Sequence, residues 1–383
     1  MIRKTLFRAM IAMGAIALSG QVAADESVKL TYATYLPKSF TWVQVDDWFM
    51  DEVSSRTDGR VTFERYYGGT LLNALDVFPG LSSGAADLAT GAPGYNPDML
   101  PLSGVTQPYI TEKADAAARA ITELYDANDA FRAEWQSNNM HLLYALTATE
   151  NSLWSSKSVT AAKDLEGMRL RATLGIGKSL EMLGATPVAM GMGDGVQAFK
   201  SGALDGFTSA PFDVSTLVGL QDIAKFAGDQ GRMGIYAIVA LAFNKASYDR
   251  LPDDVKGIIA EVSREIPARF LKVTDAAVDA SVEKIRAAGN LTVQHLDPAE
   301  QAAWRERTAQ AVWDDWTSEM DAKGLNGTAV LQQYRDLVAT YAPDSSYVPG
   351  FDRLMATLAR CCTLSRPVAG ACGPGRARIR FPK

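Results

Sequence analysis

Two stretches of the chain, "SGAADLATGAP" at Ser83–Pro93 and "SGALDGFTSAP" at Ser201–Pro211, agree at seven of eleven positions. Each reads as the end of a helix, a glycine cap, a short buried strand and a proline that stops the strand as it leaves its sheet. The segments preceding each copy also match in order. Ahead of the first, "VKLTYATYL" has strand character, Trp42, Val45, Phe49 and Val53 recur at helical spacing toward Gly59, "RVTFERYYGG" returns as a strand, and Asp76–Ser83 is helical up to Gly84. Ahead of the second come the strand "GMRLRAT", a helix over Lys178–Leu183, the strand "ATPVAMG" and a helix over Gly195–Ser201 capped at Gly202. A β-α-β-α-β order written twice predicts an α/β protein of two lobes, each a mostly parallel sheet flanked by helices.

Ligands of open α/β sheets lie in the crevice beyond the carboxyl ends of the strands. Two such sheets facing each other place Thr90–Tyr95 and Thr208–Phe212 on opposite walls of one cleft. The shared Ser-Gly-Ala-x-Asp then reads as scaffold, and the functional weight falls on the residues after each Asp.

Length and composition agree with two lobes. At 383 residues and 47% hydrophobic, the chain exceeds what one core of about 250–300 residues holds. The net charge of −6 supplies no basic field for nucleic acid. The start, "MIRKTLFRAMIAMGAIALSGQVAADES", sets Arg3, Lys4 and Arg8 before an apolar run from Ala9 to Leu18 and small residues at Val22-Ala23-Ala24. That is the pattern of a signal peptide over 1–24, cleaved near Ala24, and it predicts a periplasmic protein that does not itself span the membrane. The three cysteines, Cys361, Cys362 and Cys372, all fall in the tail, so no disulfide framework is expected. Residues 360–383 turn to Arg, Gly and Pro without hydrophobic period and read as unstructured.

From Ser247 onward the pattern is mostly helical. Asp297 is placed to cap a helix that has Pro298 at its first position and Glu300 as capping-box partner. Trp304, Val312, Trp313, Trp316 and Met320 form an apolar stripe along it, and Leu331, Tyr334, Leu337, Val338 and Tyr341 repeat the pattern in a last helix.

Catalytic constellations are sparse. "ATLGIGKS" at Ala172–Ser179 fits a relaxed phosphate-loop pattern between a strand and a helix, which would make a nucleotide-binding enzyme. Its first position is Ala rather than Gly, and no apolar strand ends in a convincing Asp to hold Mg²⁺, so the match is read as coincidence. Only two histidines, His141 and His295, and no cysteine in the body are available for metal or nucleophilic chemistry, so neither an enzyme nor a cofactor is expected. One group is out of place. Arg171 ends the strand "GMRLR" where the chain enters the cleft, and a guanidinium there can hold a carboxylate through two parallel hydrogen bonds. Arg169, two residues earlier, reads as a surface charge, and for Arg171 a structural ion pair is the competing reading.

Several segments carry a family resemblance. "KSVTAAKDLEGMRLRA", "QAFKSGALDG", "VSSRTDGRVTFERYYGGTLLN" and "FNKASYDRLPDDVKGIIAEVS" resemble signatures of the solute-binding proteins of tripartite ATP-independent periplasmic (TRAP) transporters, dicarboxylate-binding (DctP) type. The similarity runs from about Val28 to about Tyr341. It implies lobes joined by crossing strands and a long helix, closing over a small organic acid that is then delivered to the TRAP permease membrane subunits. A binding protein of an ATP-driven importer shares the fold class and is the neighbouring alternative. Lobe I is placed at 25–148 with about 237–275, and lobe II at 149–236 with about 276–345. By resemblance Arg171 pairs with the ligand carboxylate and Ser209 supplies a polar contact, at a position that is commonly Asn. Asn151 falls where some members carry a second Arg. Trp42, Tyr95 and Asn96 are chosen from their places after strand ends, Phe207 and Phe212 as aromatic cover for the ligand, and Met233 for its place near the lobe crossing.

Overall fold

In a computed structural model of the chain, residues 27–364 are described, together with 372–373 and 376–377; side chains are described as far as residue 357. The expected signal peptide lies outside the described residues. So does most of the tail, although a helix, Gly350–Leu364, runs past the expected limit at 360, and two short strands form at Cys372–Gly373 and Arg376–Ala377. Phe351 and Leu354 of that helix are buried, and their three-residue spacing is the signal that marks it in the sequence.

The two copies fold as predicted and explain their shared residues. Helices Val77–Ser83 and Met192–Lys200 end at Gly84 and Gly202, whose φ values of 82° and 79° are left-handed. Ala85 N–H reaches back to Gly80 O at 2.8 Å and Ala203 N–H to Ala198 O at 2.9 Å, closing the same terminal turn twice. The repeated Asp bonds to the neighbouring strand reciprocally. Asp87 donates its N–H to Thr31 O while its carboxylate accepts Thr31 N–H, and Asp205 does the same with Arg169. Each Asp therefore pins the start of a parallel partner strand.

The first sheet has the order Val61–Tyr66, Val28–Thr34, Leu88–Gly91, Ile238–Asn244, Met140–Thr147. In the second, Asn151–Ser155 is followed by Gly206–Pro211, Arg169–Arg171 and, at the edge, Thr186–Val188; on its other side lie Phe226–Gly228, Thr292–Gln294 and the two tail strands. Pro187 is tolerated because it sits in the edge strand. Both sheets are mixed, and in each the reversed strand next to the repeated phrase is the one that has just crossed from the other lobe: Ile238–Asn244 pairs antiparallel with Leu88–Gly91, and Asn151–Ser155 with Gly206–Pro211. A chain crossing between lobes arrives at the carboxyl ends of the parallel strands, so it can only run against them.

The helix Asp253–Ala287 is 35 residues long, or about 50 Å at 1.5 Å per residue. Val255, Ile259, Val262, Ile266, Phe270, Val278, Val282 and Ile285 bury one continuous stripe. It packs on Thr41–Arg56 and Ala114–Ala127 of the first lobe and on Phe212–Leu217 of the second, bridging the two. Asp297 caps helix Pro298–Ala322 by accepting from Ala299 N–H and Glu300 N–H, but Glu300 does not return the bond, being taken by Ala162 N–H and Trp304 Nε1. The last expected helix, Gly327–Tyr341, packs on Ala114–Ala127. Its apolar face meets the alanine-rich face of that helix.

Candidate functional site

Strand Arg169–Arg171 runs parallel to Gly206–Pro211, with Arg171 opposite Phe207 at the cleft end. Arg169 is exposed and lies 3.8 Å from Asp205. Arg171 is 3% exposed, the one buried Arg or Lys among the described residues, and no carboxylate is within ion-pair distance of it. Three main-chain carbonyls hold it instead: Nε donates to Met190 O at 3.1 Å, and Nη1 to Thr208 O at 3.1 Å and Ser209 O at 2.8 Å. Nη2 takes part in none of these bonds. The Phe207 ring lies beneath the guanidinium, 5.0 Å away. Helix Met192–Lys200 approaches so closely that a Cβ at Gly195 would sit 2.8 Å from Phe207 and 3.0 Å from Arg171. Burial pulls the pKa of Arg171 below its ordinary value, opposed by the phenols of Tyr236 and Tyr95, and an arginine stays charged through such a shift. A buried charge without a counter-charge is costly, so the site calls for an anion.

The carbonyls are aimed by a bulge. Strand Asn151–Ser155 pairs Ser152 with Ala210 and Trp154 with Phe207, leaving Thr208 and Ser209 against Leu153 alone. Ser209 takes up the extra residue with a left-handed φ of 49°, a conformation that Asn accepts more readily than most residues. Its hydroxyl accepts Thr173 N–H at 2.9 Å, and its carbonyl accepts the Tyr236 hydroxyl at 2.6 Å as well as Arg171. Asn151 is buried in a neutral network: its Oδ1 accepts Ala210 N–H, and its Nδ2 donates to Thr208 Oγ1 and to Gln230 Oε1. Gln230 Nε2 is buried without a partner among the described residues.

The first lobe contributes tyrosines. Tyr95, half-buried in the turn after Leu88–Gly91, meets Tyr35 edge to face at 5.6 Å. Tyr35 follows strand Val28–Thr34, and its pKa is pushed up by burial and by the Tyr95 and Tyr236 phenols. Arg171, Ser209, Asn151, Phe207 and Tyr95 are thus brought together. Tyr35, Tyr236, Thr208 and Gln230 belong with them and were not singled out from sequence. Tyr35 was within reach of the rule that selected Tyr95, a position just past a strand end; Tyr236 and Gln230 lie on the second crossing segment, whose path no local pattern reveals.

The other expected contacts have partners of their own. The Trp42 indole is buried with Nε1 committed to Thr147 O at 2.9 Å. The Asn96 amide holds Leu75 O at 2.8 Å. Met233 is fully buried in the crossing segment, its carbonyl accepting Tyr109 N–H. Phe207 is the floor beneath Arg171, fully buried, rather than a cleft wall. Pro211 ends the strand, and the Phe212 ring packs on Phe351 at 5.0 Å and against Gly350. A cavity of about 360 Å³, bordered by Tyr109, Glu112, Arg232 and Arg305, lies at the crossing segments and is separate from Arg171.

The Ala172–Ser179 stretch forms no phosphate cradle. Strand passes to helix Leu174–Met182 across two residues, a Cβ at Gly175 would strike Gln107 and Pro108 at 2.7 Å, and Lys178 points to Asp315 at 3.5 Å. The nucleotide-binding alternative is set aside on this geometry. No group of acidic, His or Cys residues that could hold a metal ion occurs among the described residues.

Two α/β lobes, crossing strands entering from the cleft, and an unpaired buried arginine at the strand ends define a bilobal solute-binding protein. The chain belongs to the bacterial extracellular solute-binding proteins, family 7 (DctP), whose family model matches residues 32–319. It is similar to the ectoine/5-hydroxyectoine-binding periplasmic protein UehA of Ruegeria pomeroyi, with 22% identity over 340 residues covering 86% of this chain and 96% of UehA. Among solved structures it resembles a TRAP solute-binding protein from Rhodoferax ferrireducens in complex with benzoate, with a TM-score of 0.74, 25% identity, and coverage of 84% of this chain and 100% of that one. A TRAP periplasmic solute-binding protein from Desulfovibrio salexigens gives a TM-score of 0.72 at 27% identity, covering 82% and 97%. The expected family and bilobal fold are both borne out. No helix among the described residues is long and apolar enough to cross a membrane.

Proposed function

We propose that this chain is a periplasmic receptor that captures a small organic acid between its lobes, with Arg171 holding the carboxylate, and hands it to the membrane subunits of a TRAP permease. One observation carries the reading: Arg171 is a buried cation fixed by carbonyls, with Nη2 left over and no acid beside it. A carboxylate entering there gains charge-assisted hydrogen bonds of about 1.5–3 kcal/mol each in a water-poor setting. The orientation is preset, because the bulge at Thr208–Ser209 and the packing at Gly195 leave the guanidinium little freedom. Ligand contacts from both walls favour the closed arrangement of the lobes, so the ligand acts as a switch that the permease reads. Lobe I at 25–148 with about 237–275, lobe II at 149–236 with about 276–345, and removal of residues 1–24 on export form part of this reading. The family is one of receptors, and no chemical step is assigned.

The test is a thermal-shift screen of the purified chain against a library of small organic acids, repeated on Arg171→Ala. A ligand that binds only the native state raises its melting temperature by mass action. The expected result is at least one organic acid whose stabilisation disappears in the variant while its circular dichroism is unchanged. Stabilisation that survives Arg171→Ala removes the assignment of the clamp.

A further inference from the structure

The charge balance of the site limits what the acid can be. Among the described residues Arg171 is the one buried Arg or Lys, and several of the more exposed cations are matched by acids: Lys38 by Asp47, Lys178 by Asp315, and Arg232 by Glu112 and Asp352. Asn151 and Gln230 are neutral, and the unpartnered donor of Gln230 adds no charge. An acidic group follows the strand Gly206–Pro211. Asp213, buried at the start of helix Phe212–Leu217, accepts from Thr41 Oγ1 at 2.5 Å and Thr149 Oγ1 at 2.8 Å, and its field reaches the Tyr236 phenol. A ligand with two carboxylates would bury its second charge with no cation to meet it and a carboxylate nearby.

The remaining polar walls are rings. The Tyr236 hydroxyl and Arg171 Nη1 share the Ser209 carbonyl, so the Tyr236 ring begins beside the guanidinium. Tyr95 is close enough for its phenol to act on Arg171, and Tyr35 lies edge to face with Tyr95 and within reach of Tyr236. Tyr236 thus shares a main-chain oxygen with the cation, Tyr95 and Tyr35 pair edge to face beyond the strand ends of the first lobe, and Phe207 lies beneath the guanidinium. Such a setting covers a flat apolar body at low cost in side-chain entropy.

On the reading that Arg171 holds a carboxylate, we propose that the ligand is a ring-bearing monocarboxylate, with Tyr35, Tyr95 and Tyr236 as the residues that select the ring. The test is isothermal titration of the purified chain with phenylacetate, benzoate and mandelate against hexanoate, succinate, fumarate and malate, at one salt concentration. Expected is binding of at least one ring-bearing acid at least about tenfold tighter than any of the others, a difference of about 1.4 kcal/mol. Tyr95→Ala and Tyr35→Leu, checked for folding by circular dichroism, should each shrink that ratio while leaving some binding through Arg171. Tighter binding of a dicarboxylate or of hexanoate overturns the inference and leaves the proposed function standing. Failure of every acid to bind overturns both. An undiminished ratio in both tyrosine variants removes the role given to those two residues.

Discussion

The Ser209 carbonyl oxygen lies 2.8 Å from Arg171 Nη1 and 2.6 Å from the Tyr236 hydroxyl, so one main-chain atom positions the cation of the second lobe and a ring of the crossing segment together. Arg171 is consequently held by geometry rather than by charge. Arg171→Lys keeps the charge but cannot reach Met190 O, Thr208 O and Ser209 O at once or present a planar fork. Affinity for the acid that stabilises the native chain is expected to fall about tenfold or more in isothermal titration. Equal affinity would mean that the fork geometry is unimportant.

The left-handed Ser209 should resist β-branching. Ser209→Val places a branched residue at a φ of 49° and removes the hydroxyl that accepts Thr173 N–H. A loss of about 1–3 kcal/mol in chemical denaturation is expected, whereas Ser209→Asn should be tolerated. If Val proves as stable as Asn, the bulge does not depend on a left-handed residue.

Gly234 on the second crossing segment has a φ of 72°, and any Cβ there would strike the carbonyl oxygen of Thr111. Gly234→Ala must move backbone against backbone. It should cost at least about 1–3 kcal/mol, read by chemical denaturation. A neutral outcome would show that the crossing segment shifts freely.

Glu150, on the first crossing segment, is buried and accepts Tyr347 Oη at 2.6 Å and Gly350 N–H at 2.5 Å, tying the crossing to the C-terminal helix. Burial pushes its carboxyl up to about 7 from an ordinary 4.5, despite those two hydrogen bonds. The folded chain then binds a proton more tightly than the unfolded one, so this group's contribution to stability is full below pH about 4.5 and is lost as pH rises toward 7. Glu150→Gln, which keeps an acceptor for Gly350 N–H, should flatten the fall of melting temperature between about pH 5 and 7. An unchanged slope would assign that pH dependence to other carboxyls, such as the partly buried Glu112 and the buried Glu134, each also pushed up to about 7 by desolvation.

Much of the frame was legible because it rests on short-range rules. Gly84 and Gly202 close terminal turns within six residues, and hydrophobic periods marked the strands and helices of both copies. Arg171 stood out because a charge at the end of a buried strand violates the pattern around it. Phe207 lies beneath Arg171 and Phe212 packs on Phe351 for a definable reason. The bulge at Thr208–Ser209 and the helix beginning at Phe212 change which way side chains face, and neither is visible in a two-residue alternation. That helix Gly327–Tyr341 packs on Ala114–Ala127 is not legible in the sequence, because an apolar stripe specifies that a face is buried and not what buries it.

The sequence by itself determined two α/β units of the same element order, strand ends facing a common crevice and the one arginine there, since caps, periods and strand ends are local. Only the tertiary structure decided that the shared Asp residues pin neighbouring strands, that each crossing strand runs reversed, that Tyr236 shares the Ser209 carbonyl with Arg171, and that Tyr35 meets Tyr95. Those relations join residues far apart in the chain, and their geometry arises from packing two lobes on one bridging helix rather than from any single segment.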